Sequence, residues 1–147
     1  MRIAVTGHRR ASNLGKFANL RGRMREKLVE LSPELLISGM AIGVDQIAAR
    51  VAIEMGIPVW ACIPCLGQDS VWSEGMRRQW RQILERCERV TIVTEQAYHP
   101  RLMQVRNEFM VDNADEVLAV FDGTPGGTAN CIRYATERGV KIHFIRP

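Results

Sequence analysis

Apolar runs of strand length alternate with helical patterns along this chain, and three of the runs end in glycine-rich turns. The turns are Val5-Thr6-Gly7-His8-Arg9, Ser38-Gly39-Met40-Ala41-Ile42-Gly43-Val44-Asp45 and Asp122-Gly123-Thr124-Pro125-Gly126-Gly127-Thr128. Two of them open a helix. Strands that alternate with helices through short connections imply a mostly parallel sheet, because parallel neighbours need a crossover between them. The crossovers are right-handed, and ligands bind outside the carboxyl ends of the strands, where strand order reverses. All three turns follow strand ends, so all three are expected at one edge of the sheet.

The periodicity sets the elements. Residues 2–6 read as a buried strand. Phe17, Leu20, Met24, Leu28 and Leu31 recur at helical spacing over residues 16–31, and Pro33 closes that helix. Strand 35–37 precedes a helix over 44–55 that Gly56 caps. Strand 57–63 leads through a loop at 67–71 to a helix capped by Ser70 or Ser73 and running to residue 88. Strand 90–93, helix 102–113, strand 117–121, helix 127–138 and strand 140–145 complete the pattern. The expected fold is α/β: a Rossmann-like, doubly wound, mostly parallel sheet with helices on both faces, in one domain over residues 1–147.

At 147 residues, with 46% hydrophobic and 24% charged, the chain matches a soluble globular domain with a sizeable core. It has neither an apolar stretch of membrane-spanning length nor a signal-peptide pattern, so a cytoplasmic location and no membrane partner are expected. Cys62 and Cys65 form a C-x-x-C, but no second pair stands at zinc-site spacing. Reduced, buried thiols are expected, with no metal and no cofactor. The net charge of +4 suits an anionic ligand and is too small to establish nucleic-acid binding. Arg21, Arg23, Arg25, Lys27, Arg77, Arg78 and Arg81 read as solvated helix faces.

Each turn has a structural and a functional reading. Gly7 serves a tight turn or admits a phosphate, with Thr6, His8 and Arg9 as donors. In the second turn Ser38, Gly39, Met40, Ala41, Gly43 and Val44 surround the ligand edge. Asp45 either caps the following helix or accepts from a ribose hydroxyl or base. In the third turn Gly126, Gly127 and Thr128 bare helix N-terminal amides, and Asp122 can accept from a sugar hydroxyl. Arg106 and Asn107 stand on a helix between apolar positions, and Arg106 can form a phosphate fork. Neither G-x-G-x-x-G nor G-x-x-x-x-G-K-[ST] occurs, so ordinary dinucleotide and P-loop sites are not indicated.

These motifs together carry a resemblance. Ser38-Gly39-Met40-Ala41-Ile42-Gly43-Val44-Asp45 resembles the S-G-x-A-x-G-[IV]-D signature of DprA/Smf proteins. Met103, Arg106, Asn107 and Met110, then Ala114-Asp115 and Pro125-Gly126-Gly127-Thr128, resemble the R-[KN]-x-x-M and P-G-G-x-x-T region of LOG-type phosphoribohydrolases. The start, Val5-Thr6-Gly7-His8-Arg9, resembles small YpsA-like and phage-associated members of the SLOG superfamily. The resemblance covers roughly residues 3–145 and implies a Rossmann-like domain that binds a nucleotide or a nucleotide-derived phosphorylated ligand. It also implies frequent self-association, for which the helix bearing Trp72, Met76, Trp80 and Ile83 offers an apolar face.

LOG-type enzymes cleave nucleoside 5′-monophosphates with an Arg and a Glu. Arg106 matches the Arg, but the Glu position is occupied by Arg133. Catalytic residues are therefore not assigned; Arg106 and Asp45 are candidates, with Glu108 and Asp122 as other carboxylates in reach of the motif. Three functions follow, in order of preference: a nucleotide-binding or sensor domain, a nucleotide N-glycosidase, and a DprA-like binder of single-stranded nucleic acid. The partner expected is a nucleotide-like small molecule, with a homo-oligomer as the assembled form.

Overall fold

The computed structural model describes residues 1–147. Its elements run β1 (Arg2–Gly7), α1 (Ala11–Leu14), α2 (Leu20–Leu31), β2 (Leu35–Ser38), α3 (Val44–Glu54), β3 (Val59–Ile63), α4 (Glu74–Glu85), β4 (Arg89–Ile92), α5 (Arg101–Asp112), β5 (Glu116–Val120), α6 (Gly127–Glu137) and β6 (Lys141–Ile145). The six strands form one sheet in the order β4-β3-β2-β1-β5-β6, and every pairing is parallel.

The chain lays down β1 to β4 in one direction, then returns to place β5 on the free side of β1. Right-handed crossovers put the helices of the first walk on one face and those of the second on the other. The two cores record this. Ile3, Val5, Leu36, Val59, Ala61 and Leu118 point to the face covered by α2 and α3. Their alternates Ala4, Leu35, Ile37, Trp60, Cys62 and Val117 point to the face covered by α5 and α6. Because both faces are buried there, the central strands β1, β2, β3 and β5 read as near-continuous apolar runs instead of alternating ones. The reversal of strand order falls between β1 and β5, so the turns after those strands flank the crevice.

The elements differ from expectation at their ends. Helix α2 begins at Leu20, not residue 16; Phe17 is buried ahead of it, in the segment joining the unforeseen short α1 to α2. Asn19 and Ser32 bound α2 in left-handed backbone conformations, with φ of 50° and 47°. Ser73, not Ser70, caps α4 by accepting from the Met76 backbone N–H at 3.3 Å, and α4 stops at Glu85. Strand β3 starts at Val59, although the Pro58 carbonyl already accepts from Leu36 N–H at 2.9 Å.

Candidate functional site

A cavity of about 430 Å³ opens at the carboxyl end of the sheet, over the reversal point. Four chain segments make its walls. The turn after β1 contributes Thr6, Gly7, His8 and Arg9, followed by Arg10 and Asn13. Ala41 and Asp45 come from the second turn and α3, and Gly126, Gly127, Thr128 and Asn130 from the mouth of α6. Arg106 and Asn107 reach it from α5. Eleven of the residues selected from sequence thus line one cavity. Ser38, Gly39, Met40, Gly43, Val44 and Asp122 stand behind its wall.

The residues behind the wall join the turns to one another. A β-carbon added at Gly7 would lie 2.5 Å from Val44 Cγ1. One added at Gly43, where φ is +96°, would lie 2.5 Å from the His8 carbonyl oxygen. The Val44 backbone N–H donates to that same carbonyl at 3.1 Å, so the first turn caps α3. Ser38 is fully buried; its hydroxyl donates to the Asp45 carbonyl at 2.9 Å and accepts from Met40 N–H at 3.2 Å. Met40 is fully buried with φ of 60°, and its carbonyl accepts from Gln46 Nε2 at 3.2 Å.

Asp122 has a similar structural duty. Its carboxylate accepts from Thr124 Oγ1 at 2.6 Å, Asn13 Nδ2 at 2.8 Å and Lys16 Nζ at 3.0 Å. Hydrogen bonds from Thr124 first, then Asn13, hold it well below the usual carboxylate range. Its backbone N–H donates to His8 Nε2 at 3.1 Å, and the His8 ring stacks on Phe121 with centroids 5.9 Å apart. His8 and Asp122 therefore latch the first turn to the third.

Arg106 and Asp45 are the buried charges of the cavity wall, exposed to only 4% and 8%. Arg106 donates from Nη1 to the Gly39 carbonyl and from Nε to Asn107 Oδ1 at 2.8 Å; Nη2 lies 3.7 Å from Met103 Sδ. A guanidinium has five N–H donors, so two remain for a ligand. Asp45 Oδ2 accepts from Ala41 N–H at 3.2 Å. Burial pushes the Asp45 carboxyl up to about 6, against the opposing pull of the Arg106 charge. Burial likewise lowers Arg106 from its ordinary value, while Asp45 pulls it back.

Among the other carboxylates, Glu108 holds Gln104 Nε2 at 3.2 Å, away from the cavity wall. Arg133, at the LOG-type Glu position, is exposed and donates to Asn130 at 3.1 Å. Asp45 is thus the only carboxylate lining the cavity, facing Arg9, Arg10 and Arg106.

Arg10, a candidate for ligand contact with His8 and Arg9 at the first turn, lines the cavity, whereas sequence reasoning missed Asn13, Tyr98, Pro100, Met103, Gln104 and Asn130. Tyr98 and Pro100 belong to a stretch with no periodic signal. Met103 could have been found from Arg106, since positions three apart are neighbours on a helix face, whereas Gln104, two positions away, carries no such signal. Cys62 and Cys65 are buried free thiols, and burial pushes Cys62 up to about 12. Trp72 precedes α4, outside the helix expected to bear it, and packs edge to face on Trp80 at 6.1 Å, while Ile83 is buried in the core. The α4 face is therefore not one exposed apolar stripe. No helix is long and apolar enough to cross a membrane.

Comparison with known proteins agrees with this geometry. The chain is 28% identical over 151 residues to a Bacillus subtilis protein, the uncharacterized SPbeta prophage-derived YoqJ, with 85% of this chain and 88% of that one aligned. It is 30% identical to the UPF0398 protein BH1768 of Halalkalibacterium halodurans, over 92% of this chain and 80% of the other. Among solved structures, the single-stranded-DNA-binding DNA processing protein A of Helicobacter pylori superposes with a TM-score of 0.71 at 19% identity. That match covers 98% of this chain and 64% of the other. The molybdenum cofactor binding protein of Rippkaea orientalis superposes with a TM-score of 0.64 at 15% identity, over 99% of this chain and 76% of its own. At these identities the structural matches establish the fold, which the family match narrows further. The model of the YspA SLOG family matches residues 3–146, and the chain belongs to that family.

Proposed function

We propose that this protein binds a nucleotide or nucleotide-derived phosphorylated ligand in the cavity at the β1/β5 reversal point. The observation that carries the reading is the charge of the wall: Arg9, Arg10 and Arg106 face a single carboxylate. Gly126 caps α6 with no side-chain hydrogen bond, so the first-turn amides of that helix are left for an anion. Arg106 is already engaged with Gly39 and Asn107 and is balanced by Asp45. The phosphate therefore belongs at the α6 mouth with Arg9 and Arg10, and the sugar and base belong toward Arg106 and Asp45. Tyr98, 46% exposed at the rim, offers an aromatic face to a base.

One observation favours a second reading, hydrolysis of an N-glycosidic bond. A carboxyl held near pH 6 can exist in either protonation state at neutral pH, and Asp45 stands at the cavity wall. In such a step water adds its oxygen to C1′, the C1′–N bond breaks, and the departing base gains a proton.

The test is a panel of nucleoside monophosphates, ADP-ribose and NAD, read by calorimetry for binding and by chromatography for released base. Binding lost in Arg9→Ala supports the proposal. Base release that Asp45→Asn abolishes supports hydrolysis. Binding only to oligodeoxynucleotides, weakening steeply with salt, transfers the site to single-stranded DNA. No binding to any probe refutes the nucleotide reading.

A further inference from the structure

Behind Arg106 runs a buried polar chain that the cavity itself does not include. Gln68 is 3% exposed, although it lies in the loop between β3 and α4. Its Nε2 donates to the Gly39 carbonyl at 2.9 Å, the same oxygen that accepts from Arg106 Nη1. Its Oε1 accepts from the Trp80 indole Nε1–H at 3.1 Å. The amide orientation is fixed by these partners, because an indole only donates and a carbonyl only accepts. Arg77 clamps the loop from outside, donating from Nε to the Asp69 carbonyl at 3.0 Å and from Nη2 to the Ser70 carbonyl at 3.3 Å.

We infer that Gln68 is a positioning residue for the ligand site: through the shared Gly39 carbonyl it fixes Arg106 in the cavity wall, and it ties the state of Arg106 to Trp80. The inference rests on the nucleotide reading for its consequence in affinity, but the tie between Arg106 and Trp80 stands on the hydrogen bonds alone. A carbonyl oxygen has two lone-pair directions. With Gln68 in one of them, Arg106 Nη1 is confined to the other, so the guanidinium has one place to sit. Without Gln68, the Gly39 oxygen accepts Arg106 over a wider range and the two free guanidinium N–H groups lose their fixed aim. When a ligand draws on those N–H groups, the Arg106–Gly39 bond changes, then the Gln68 bond, then the electronic environment of the Trp80 ring.

The experiment uses the indole N–H proton resonances of the full chain. Trp80 is assigned with Trp80→Phe. Trp60, whose indole donates to Thr91 Oγ1 at 2.9 Å within the β3–β4 pair and makes no bond to Gln68, is the internal reference. Arg106→Lys is expected to move the Trp80 resonance and leave that of Trp60 in place. Gln68→Met, close in volume and without the amide, is expected to move Trp80 to a non-hydrogen-bonded position. It should also weaken AMP binding about five- to tenfold, the usual effect of losing one neutral hydrogen bond. If Arg106→Lys leaves Trp80 unmoved, the tie is overturned, whatever the ligand. If Trp80 responds to Arg106→Lys but neither AMP nor ADP-ribose binds the wild type, the tie stands and the nucleotide reading falls. If Gln68→Met loses its Trp80 shift yet binds AMP with wild-type affinity, the positioning role is overturned.

Discussion

Gly39→Ala isolates the contact between the second turn and Arg106. Gly39 does not have a positive φ, so its backbone accepts alanine without strain. The added methyl, however, would lie 2.4 Å from Arg106 Nη1 and 2.5 Å from its Cζ. The guanidinium must withdraw, and its withdrawal breaks the bond to the Gly39 carbonyl. A hydrogen bond to a charged group contributes about 1.5–3 kcal/mol, and overpacking of this kind costs a comparable amount. Arginine has a long flexible stem, so part of the clash relaxes, and the expected loss is about 2–3 kcal/mol. For a chain of this length that corresponds to a fall in Tm of roughly 4–12 °C. Chemical denaturation and calorimetry with AMP read the two effects, and affinity should fall at least about tenfold. The decisive measurement is the cycle with Arg106→Ala. Once the guanidinium is absent, the three atoms nearest the methyl are gone and the second substitution should cost far less. An equal cost in both backgrounds would show that the strain is in the turn and not at Arg106.

Three further outcomes are expected. Asp45 has a folded-state pKa of about 6 against an ordinary value of 3.8, so the native state binds its proton more tightly than the unfolded chain. Its stabilising contribution is therefore present below about pH 4 and lost as pH rises through 6. Asp45→Asn should stabilise the protein above pH 6 by up to about 3 kcal/mol and give no gain at pH 4, and a stability difference independent of pH would contradict this. Asp122 has the opposite sign: its carboxylate is stabilised by Thr124, Asn13 and Lys16, so Asp122→Asn should lower Tm at neutral pH, with a deficit that shrinks on acidification. Arg9→Ala should weaken binding of a phosphorylated ligand without lowering Tm, since Arg9 is exposed, and the wild-type affinity should fall with added salt. A salt-independent affinity would remove the phosphate from the arginine end.

The layout of the sheet was legible in the sequence because it depends on local periodicity and on chirality. Buried runs such as Leu35–Ser38 and Glu116–Val120 announce themselves, and the placement of their helices follows from right-handed crossovers. The convergence of the three turns followed from topology and not from any one motif. What escaped was non-local. Nothing in the neighbourhood of Gln68 says that its amide reaches Gly39, 29 positions away. The partners of Asp122, 109 and 106 positions upstream at Asn13 and Lys16, are equally silent. Phe17 fits the helical period of the residues that follow and still lies outside α2. Burial alone satisfies an apolar side chain, whether or not its backbone is helical.

The glycines show why the second turn is so distinctive in sequence while contributing little surface to the cavity. Gly7, Gly39 and Gly43 each stand where a methyl would strike a neighbouring turn or Arg106. Gly7 and Gly43 are required because β1 and β2 are adjacent and their exits pass within van der Waals contact, and Gly39 because the Arg106 guanidinium from α5 lies against it. Gly126 and Gly127 differ: nothing lies within 4 Å of a β-carbon at either position. At Gly127, which lines the cavity and lacks a positive φ, the fold imposes no requirement for glycine. Gly7→Ala and Gly127→Ala should therefore separate cleanly. The first drives a methyl into Val44 and lowers stability by about 1–3 kcal/mol through overpacking. The second leaves stability unchanged or raises it by up to about 1 kcal/mol, as alanine suits a helix better than glycine, and weakens affinity for the phosphorylated ligand. A destabilised Gly127→Ala, or a Gly7→Ala that melts as wild type, would mean that the division of labour among the turns has been drawn in the wrong place.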